Sequence, residues 1–187
     1  MPVLEDCRLR PVEEADLEKV LEWRNSDRIR SVMFTDRFIS REDHRAWYER
    51  LRNDENSRCL IFEVRGRLAG VVNVVQIDRQ NGRCTWGFYL GEAGSPPGSG
   101  MAMGYQALEY IFENLCLRKL CGEVLASNIK SIEFHKKLGF TEEGRYLRHV
   151  LKNGRYEDVV AMALFNEDWH RMKQGLKSLL FWGGAVL

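Results

Sequence analysis

An apolar run followed by a glycine-rich loop decides the fold of this chain: residues 86–101 read WGFYLGEAGSPPGSGM. Residues 86–90 are typical of a strand, and residues 100–115 are predicted to be an amphipathic helix because their apolar side chains recur at helical spacing. The first N–H groups of a helix lack partners within it, and glycine lets an anion approach them closely. The sequence therefore predicts a phosphate-type anion site where this helix begins.

The spacing of the glycines and of the residue after them distinguishes the ligands that bind at such a loop. A nucleotide-triphosphate P-loop needs a lysine after its last glycine, but Met101 follows Gly100. The dinucleotide motif GxGxxG is one residue narrower than the set Gly98, Gly100 and Gly104, and it normally follows the first strand of its unit. Both ligands are therefore disfavoured; the pyrophosphate of coenzyme A is the third ligand class that binds at such a loop.

Three strand-like runs lead up to the loop, at residues 59–64, 68–77 and 84–90. Short turns containing Gly66 and Gly82 join them. Alternating β-rich runs with such short glycine turns are typical of an antiparallel meander.

Helices and further strands are predicted on both sides of the meander. Ser40 begins a helix because residues 40–43 match a capping box, and Gly139 ends another as its C′ glycine. Strands and helices do not alternate from the start, which excludes a doubly wound sheet and makes the fold class α+β. The other predicted elements are a strand at 7–11, a helix at 12–25, a strand at 120–125, a helix at 128–138 and a hairpin of residues 146–151 and 156–165.

The composition is that of a globular chain: 187 residues, 44% hydrophobic and 29% charged, with a formal net charge of +1. It excludes disorder and small disulfide scaffolds, and it provides no basic footprint for nucleic acid. Five scattered cysteines, none in a Cys-x-x-Cys pair, predict reduced thiols and no metal site. We expect no membrane span, and an N-terminus without a signal-peptide pattern predicts a cytoplasmic location.

Four motifs together resemble the GCN5-related N-acetyltransferases, the GNAT family: residues 86–90, 98–101, 123–128 and 134–140. The resemblance implies a GNAT fold, with a mostly antiparallel, splayed central sheet flanked by helices, and acetyl-CoA as cosubstrate without a metal. Ser95 stands where the family has Gln or Arg, so one phosphate contact is expected to be weaker. The cofactor residues that the resemblance implies are Phe88, Tyr89, Leu90, Gly98, Ser99, Gly100, Met101 and Asn128.

Acetyl transfer from a thioester to an amine needs a neutral amine and a proton for the leaving thiolate. His135 stands where the family usually has the Tyr proton donor, so it is the candidate acid if its imidazole is charged near neutrality. In the alternative, His135 only packs beside the cofactor and water supplies the proton. Asn73 and Glu123, on predicted central strands, are candidates to order the water that deprotonates the amine. Tyr89 is expected to pack in the wall of the same site and to touch substrate.

The segment expected to bind substrate is rich in arginine. Residues 23–58 contain nine Arg, no Lys and seven acidic residues. Arginine suits bidentate phosphate recognition, although a salt-bridged surface position is the favoured interpretation for any single arginine. The enrichment favours an anionic substrate over a polycationic one such as an aminoglycoside.

Several stretches resemble one GNAT branch more narrowly, the pseudaminic acid pathway enzyme that acetylates the 4-amino group of UDP-4-amino-4,6-dideoxy-N-acetyl-β-L-altrosamine. The resemblance implies a UDP-amino sugar substrate, with Arg24 and His44 at the nucleotide phosphates and Met33 against the uracil or sugar. It also places Asn73 near the amine. His44 is as readily explained as a cap on a neighbouring loop. The stretches are residues 23–25, 33–36, 39–44, 143–145 and 154–159.

Two other functions stay open. The GNAT branch that acetylates the N-terminal amine of ribosomal proteins shares the Glu143-Gly144 ending, but a basic protein tail would favour an acidic groove. A non-catalytic acyl-CoA sensor would keep the cofactor site, and His135 would then mark lost chemistry.

The domain is expected at residues 1–169, followed by a helical, apolar tail at 170–187. The tail carries the nearly contiguous Leu176, Leu179, Leu180, Phe181 and Trp182, which either fold back on the domain or form a homo-oligomer contact. Lys152 and Arg155 lie on the predicted hairpin turn and are expected to be solvated.

Overall fold

The computed structural model describes residues 4–181 and contains one seven-stranded sheet with helices on both faces. The strand order is β1-β2-β3-β4-β5-β7-β6, and only the β4/β5 pair is parallel. The strands are β1 (Cys7–Pro11), β2 (Arg58–Val64), β3 (Arg67–Asp78), β4 (Arg83–Leu90), β5 (Lys119–Leu125), β6 (Thr141–Lys152) and β7 (Arg155–Phe165). The helices are α1 (Leu17–Asn25), α2 (Asp27–Arg30), α3 (Arg41–Arg52), α4 (Ser99–Glu109), α5 (Ile129–Lys137) and α6 (Asn166–Phe181).

The structure confirms the α+β class, the splayed sheet and the meander. Gly66 and Gly82 turn the chain at φ values of +71° and +61°, which other residues adopt only with strain. The Ser40 side chain accepts a hydrogen bond from the backbone N–H of Asp43, as a cap of α3 should. The short helix α2 was not predicted, and the expected helix at residues 12–25 becomes regular only at Leu17.

Each face of the sheet packs against its own helices because side chains alternate along the strands. On β3, Val72 and Val74 enter the main core with α4, α5 and α6, while Val71 enters a smaller core with Val20 and Trp23 of α1. The smaller core lies on the side of the sheet that α1 and α3 cover. The alternation therefore gives the sheet two separate packing faces, one covered by α4, α5 and α6 and the other by α1 and α3.

The chain beyond residue 169 continues a helix that begins earlier, so the predicted boundary falls inside α6. Trp169 is completely buried and Leu176 is buried in the main core, whereas Leu179 is exposed. The described part of the tail therefore folds back on the domain, and the homo-oligomer contact stays a prediction. Trp182 lies outside the described residues. None of the helices within residues 4–181 is long and apolar enough to cross a membrane.

Candidate active site

The neighbouring strands β4 and β5 separate part-way along their length. Their parallel pairing ends at Trp86 and Gly122, whereas β4 stays paired with β3 to Leu90 and β5 with β7 to Leu125. Beyond the last β4/β5 pair, the facing edges therefore present backbone N–H and C=O groups that have no partner in the sheet. An extended ligand arm with amide groups can hydrogen-bond to such edges as a strand would.

The glycine loop leads into the N-terminus of α4. Gly98 has a φ of +90° and directly precedes the first helical residue, Ser99. The buried Ser99 hydroxyl donates to the Pro96 carbonyl at 2.7 Å, so this side chain holds the loop in shape. The first-turn N–H groups of Gly100 and Met101 remain for an anion, at the positive end of the helix dipole.

Two glycines of α4 lie close to neighbouring elements. A Cβ built at Gly100 would lie 3.7 Å from side-chain atoms of Leu90 and Phe134, which places the anion site beside the end of β4 and next to α5. A Cβ at Gly104 would lie 2.8 Å from the Leu138 side chain. Gly104 is therefore required for the close packing of α4 on α5, and it is not part of a dinucleotide loop.

Asn128 lies on the opposite side of the gap, at the start of α5. Its side-chain oxygen accepts the backbone N–H of Ser131 at 3.2 Å, so it caps the helix and leaves its amide NH₂ for a ligand. The open edges, the helix N-terminus and this amide fit the pantetheine and pyrophosphate of acetyl-CoA. No group of three or more possible metal-ligating side chains occurs in the part of the chain that the structure describes.

A cavity of about 570 Å³ opens on the α1/α3 side of the sheet. Its floor includes Asn73, which is paired directly with Gly87 on β4. No atom lies within 4 Å of a Cβ built at Gly87, so the missing side chain leaves open space beside Asn73. All four residues predicted to bind substrate line this cavity, namely Arg24, Met33, His44 and Tyr89. Other lining residues are Arg37, Arg50, Asp43 and Trp47.

Comparison with known proteins places this geometry in a family. The family model for the acetyltransferase (GNAT) domain matches residues 6–141. The chain belongs to the GNAT acetyltransferase family. It is an acetyl-CoA-dependent N-acetyltransferase acting on an amine, which confirms the coarser prediction from the sequence.

Curated GNAT relatives are amine acetyltransferases by name. Spermidine N(1)-acetyltransferase from Escherichia coli K12 is 27% identical over 169 residues, which cover 90% of this chain and 91% of the relative. A putative ribosomal N-acetyltransferase from Bacillus subtilis is 26% identical over 108 residues, 58% of this chain and 59% of the relative. The fold matches that of spermidine N-acetyltransferase from Vibrio cholerae in complex with CoA and spermine, with a TM-score of 0.84 and 24% identity, over 89% and 99% of the two chains. None of these three points to the pseudaminic acid pathway.

His135 does not have the environment that an acid needs. It is buried between aromatic rings, and its Nε2 accepts the indole N–H of Trp86 at 3.2 Å. Because indole N–H is only a donor, the imidazole proton is on Nδ1, which donates to the Ser131 carbonyl at 2.7 Å. Burial also lowers the pKa of His135, which keeps the ring neutral. The prediction of a proton-donating His135 does not fit this geometry, and the packing alternative does.

The three predicted catalytic residues lie in different places. Asn73 is in the cavity, whereas Glu123 is exposed on the same side of the sheet and does not line the cavity. His135 lies on the side of the sheet that faces the main core, because its ring packs on Trp86 and Phe140. Of the three, only Asn73 is therefore positioned beside the space that an amine can enter.

Arg24 and His44 both have a buried polar atom without a partner. Arg24 donates through Nη2 to the Thr35 carbonyl at 2.9 Å and hydroxyl at 3.0 Å, while its Nη1 has no hydrogen bond. His44 hydrogen-bonds to the Leu17 backbone and stacks on Trp47 with ring centroids 5.0 Å apart, while its Nε2 has no partner. Burial lowers the pKa of both side chains. A neutral His44 suits a hydroxyl better than the phosphate predicted for it.

Two cationic side chains that the motifs did not single out hold the site together. Arg28 donates to the Leu90 carbonyl at 3.0 Å and to the Gly91 carbonyl, which ties α2 to the end of β4. Lys152 is buried and donates to the Met33 carbonyl, so the expectation of a solvated Lys152 was wrong, whereas Arg155 is exposed as expected. The arginine enrichment could have pointed to Arg28, but no local pattern indicates a contact across 119 residues.

Proposed function

We propose that this GNAT enzyme acetylates an amine carried by an anionic small molecule, and that this substrate is a nucleotide-linked amino sugar. The observation that carries the proposal is the Arg24 guanidinium, which lines the cavity and keeps Nη1 buried and unpartnered. A buried guanidinium donor without an acceptor is costly, and a phosphate or carboxylate oxygen would satisfy it with a charge-assisted hydrogen bond.

The charge of the cavity supports an anion over a polyamine. Three arginines and one carboxylate, Asp43, line it, and Asp43 lies 3.8 Å from Arg37. Among residues 4–181, neither Arg24 nor Arg50 forms an ion pair. Spermidine is polycationic at neutral pH and would be repelled by such a lining. The names of the relatives nevertheless make spermidine the second candidate substrate.

The chemistry that we propose uses the chain's own groups in four roles. Acetyl-CoA supplies the activated acetyl group. The open edge of β4 hydrogen-bonds to the acetyl carbonyl and orients it, while Asn73 orients the neutral amine in the space over Gly87. His44 Nε2 accepts a substrate hydroxyl. Burial raises the pKa of Tyr89, so its phenol stays protonated and can donate a hydrogen bond to the substrate. As the amine nitrogen bonds to the acetyl carbon and the thioester C–S bond breaks, water takes the proton that the nitrogen loses and delivers one to the leaving thiolate, since Nε2 of His135 carries no proton to donate.

A substrate panel tests the proposal. The purified enzyme is given acetyl-CoA with UDP-4-amino-4,6-dideoxy-N-acetyl-β-L-altrosamine, spermidine, or a peptide with a free N-terminal amine, and both thiol release and product mass are measured. UDP-N-acetylglucosamine is the control that keeps the nucleotide but lacks a free amine. We expect the highest kcat/KM with the amino sugar and no thiol release with the control.

Two outcomes would overturn the proposal. A higher kcat/KM for spermidine or for the peptide would show that the arginines do not select an anion. Tight acetyl-CoA binding without turnover of any amine would support the sensor alternative.

A further inference from the structure

Lys152 is a buried cation that forms no ion pair among residues 4–181. The side chain at the end of β6 is 6% exposed, and its ammonium donates to the Met33 carbonyl. Within the described residues, no carboxylate lies in ion-pair range of it. Burying an ammonium group without a counter-ion costs free energy. The hydrogen bond to the Met33 carbonyl is therefore kept despite the desolvation of the Lys152 ammonium.

The segment that Lys152 contacts has no backbone ladder of its own. Residues 31–40, between α2 and α3, contain neither helix nor strand, and side chains hold their backbone instead. Arg24 binds the Thr35 carbonyl at 2.9 Å and Arg30 the Asp36 carbonyl at 3.2 Å. Asn25 exchanges two hydrogen bonds of 2.9 Å with the backbone of Ile39. These anchors hold the C-terminal half of the segment, and all of them come from α1 and α2.

The N-terminal half of the same segment is held by a residue of a different element, the β6–β7 hairpin. Met33 lines the cavity together with Thr35 and Ile39, and Lys152 reaches its carbonyl from the β6–β7 hairpin. The hairpin is thus the second support of this cavity wall. Without it, the half of the segment that includes Met33 has only its turn hydrogen bonds to α2, such as Met33 N–H to the Arg30 carbonyl at 3.3 Å.

We propose that Lys152 is a positioning residue for the amine substrate: the tip of the β6–β7 hairpin fastens residues 31–39 over the cavity through the Met33 carbonyl. The cofactor gap is formed by β4, β5, α4 and α5, so the effect is confined to amine binding. The proposal needs only an amine that enters this cavity, and it does not depend on which amine is the natural one.

Kinetics of matched variants test the proposal. Lys152→Met removes the donor, Lys152→Arg keeps a cationic donor, and Arg155→Met removes an exposed cation three residues away. With the best amine of the panel, Lys152→Met should raise the amine KM about tenfold and change kcat and the acetyl-CoA KM less than about twofold. Lys152→Arg should recover most of the loss, and Arg155→Met should behave as wild type.

Hydrogen–deuterium exchange of the free enzyme gives a measurement that needs no substrate. Amides of residues 31–39 should exchange faster in Lys152→Met than in wild type, while those of α4 stay unchanged, and Lys152→Arg should restore protection. Unchanged exchange and KM in Lys152→Met would overturn the proposal, and so would an equal KM increase in Arg155→Met, which would indicate a general charge effect. Should Lys152→Met fail to fold, Lys152→Gln, a shorter and neutral side chain, takes its place: faster exchange confined to residues 31–39 would support the proposal, and unchanged exchange would overturn it. If no amine in the panel is turned over, the exchange measurement alone decides whether Lys152 positions residues 31–39.

Discussion

Replacing Arg24 by Met tests how the cavity selects its substrate. Methionine keeps much of the side-chain length but removes both guanidinium functions, the two bonds to Thr35 and the unpartnered Nη1. A hydrogen bond to a charged group contributes about 1.5–3 kcal/mol, which corresponds to a roughly 10- to 150-fold increase in the KM of an anionic amine. Because Arg24 lies outside the cofactor gap, the KM for acetyl-CoA should stay within about twofold.

A thiol-release assay at fixed saturating acetyl-CoA measures this change. Thr35→Val removes one of the two oxygens that Arg24 Nη2 contacts and leaves Nη1 intact, so it serves as the control for loop effects. The difference between the two variants contains the contribution of Nη1 together with that of the Nη2 bond to the Thr35 carbonyl. Increasing ionic strength should raise the wild-type KM, because salt screens the arginines, and should raise that of Arg24→Met less. An Arg24→Met enzyme with an unchanged amine KM would refute the anion argument.

Two further predictions concern the cofactor side of the enzyme. Arg28→Met removes the contacts to the Leu90 and Gly91 carbonyls and should weaken acetyl-CoA binding about 3- to 10-fold in calorimetry. An unchanged affinity would show that Arg28 does not support the cofactor site. Because burial lowers the pKa of His135 below its ordinary value of about 6.5, the unfolded chain binds a proton more readily than the native state does, so stability falls as the pH drops below about 6.5. His135→Phe should flatten this decline in melting temperature and keep the shape of the kcat–pH profile; loss of the profile's basic limb would restore His135 as the acid.

Local signals predicted much of the fold correctly. The alternation in residues 59–90 and the turns at Gly66 and Gly82 were enough for the meander, because a strand and its short turn are specified within a few residues. The Ser40 cap and the glycine loop were predictable for the same reason: a helix start depends on groups three residues apart. These predictions needed no knowledge of distant contacts.

The candidate site was predicted only in part. The arginine-rich segment and the family resemblance indicated Arg24, Met33, His44 and Tyr89, and the structure brings all four to one cavity. The resemblance also placed His135 at the acid position, but it could not show the protonation state. That state depends on Trp86, which is 49 residues away in the chain.

The sequence by itself determined most of the elements, their order and the glycine loop before α4, since each follows from neighbours along the chain, and it predicts an anion site at that helix start. The tertiary structure decided which side chains are solvated, which are neutral and which are left unpartnered. Lys152 shows the difference most clearly. The sequence predicts a solvated turn residue, whereas in the fold its ammonium contacts the carbonyl of Met33, 119 residues away in the chain. Burial and hydrogen-bond partners arise from groups that only the folded sheet brings together, and they determine the chemistry of the site.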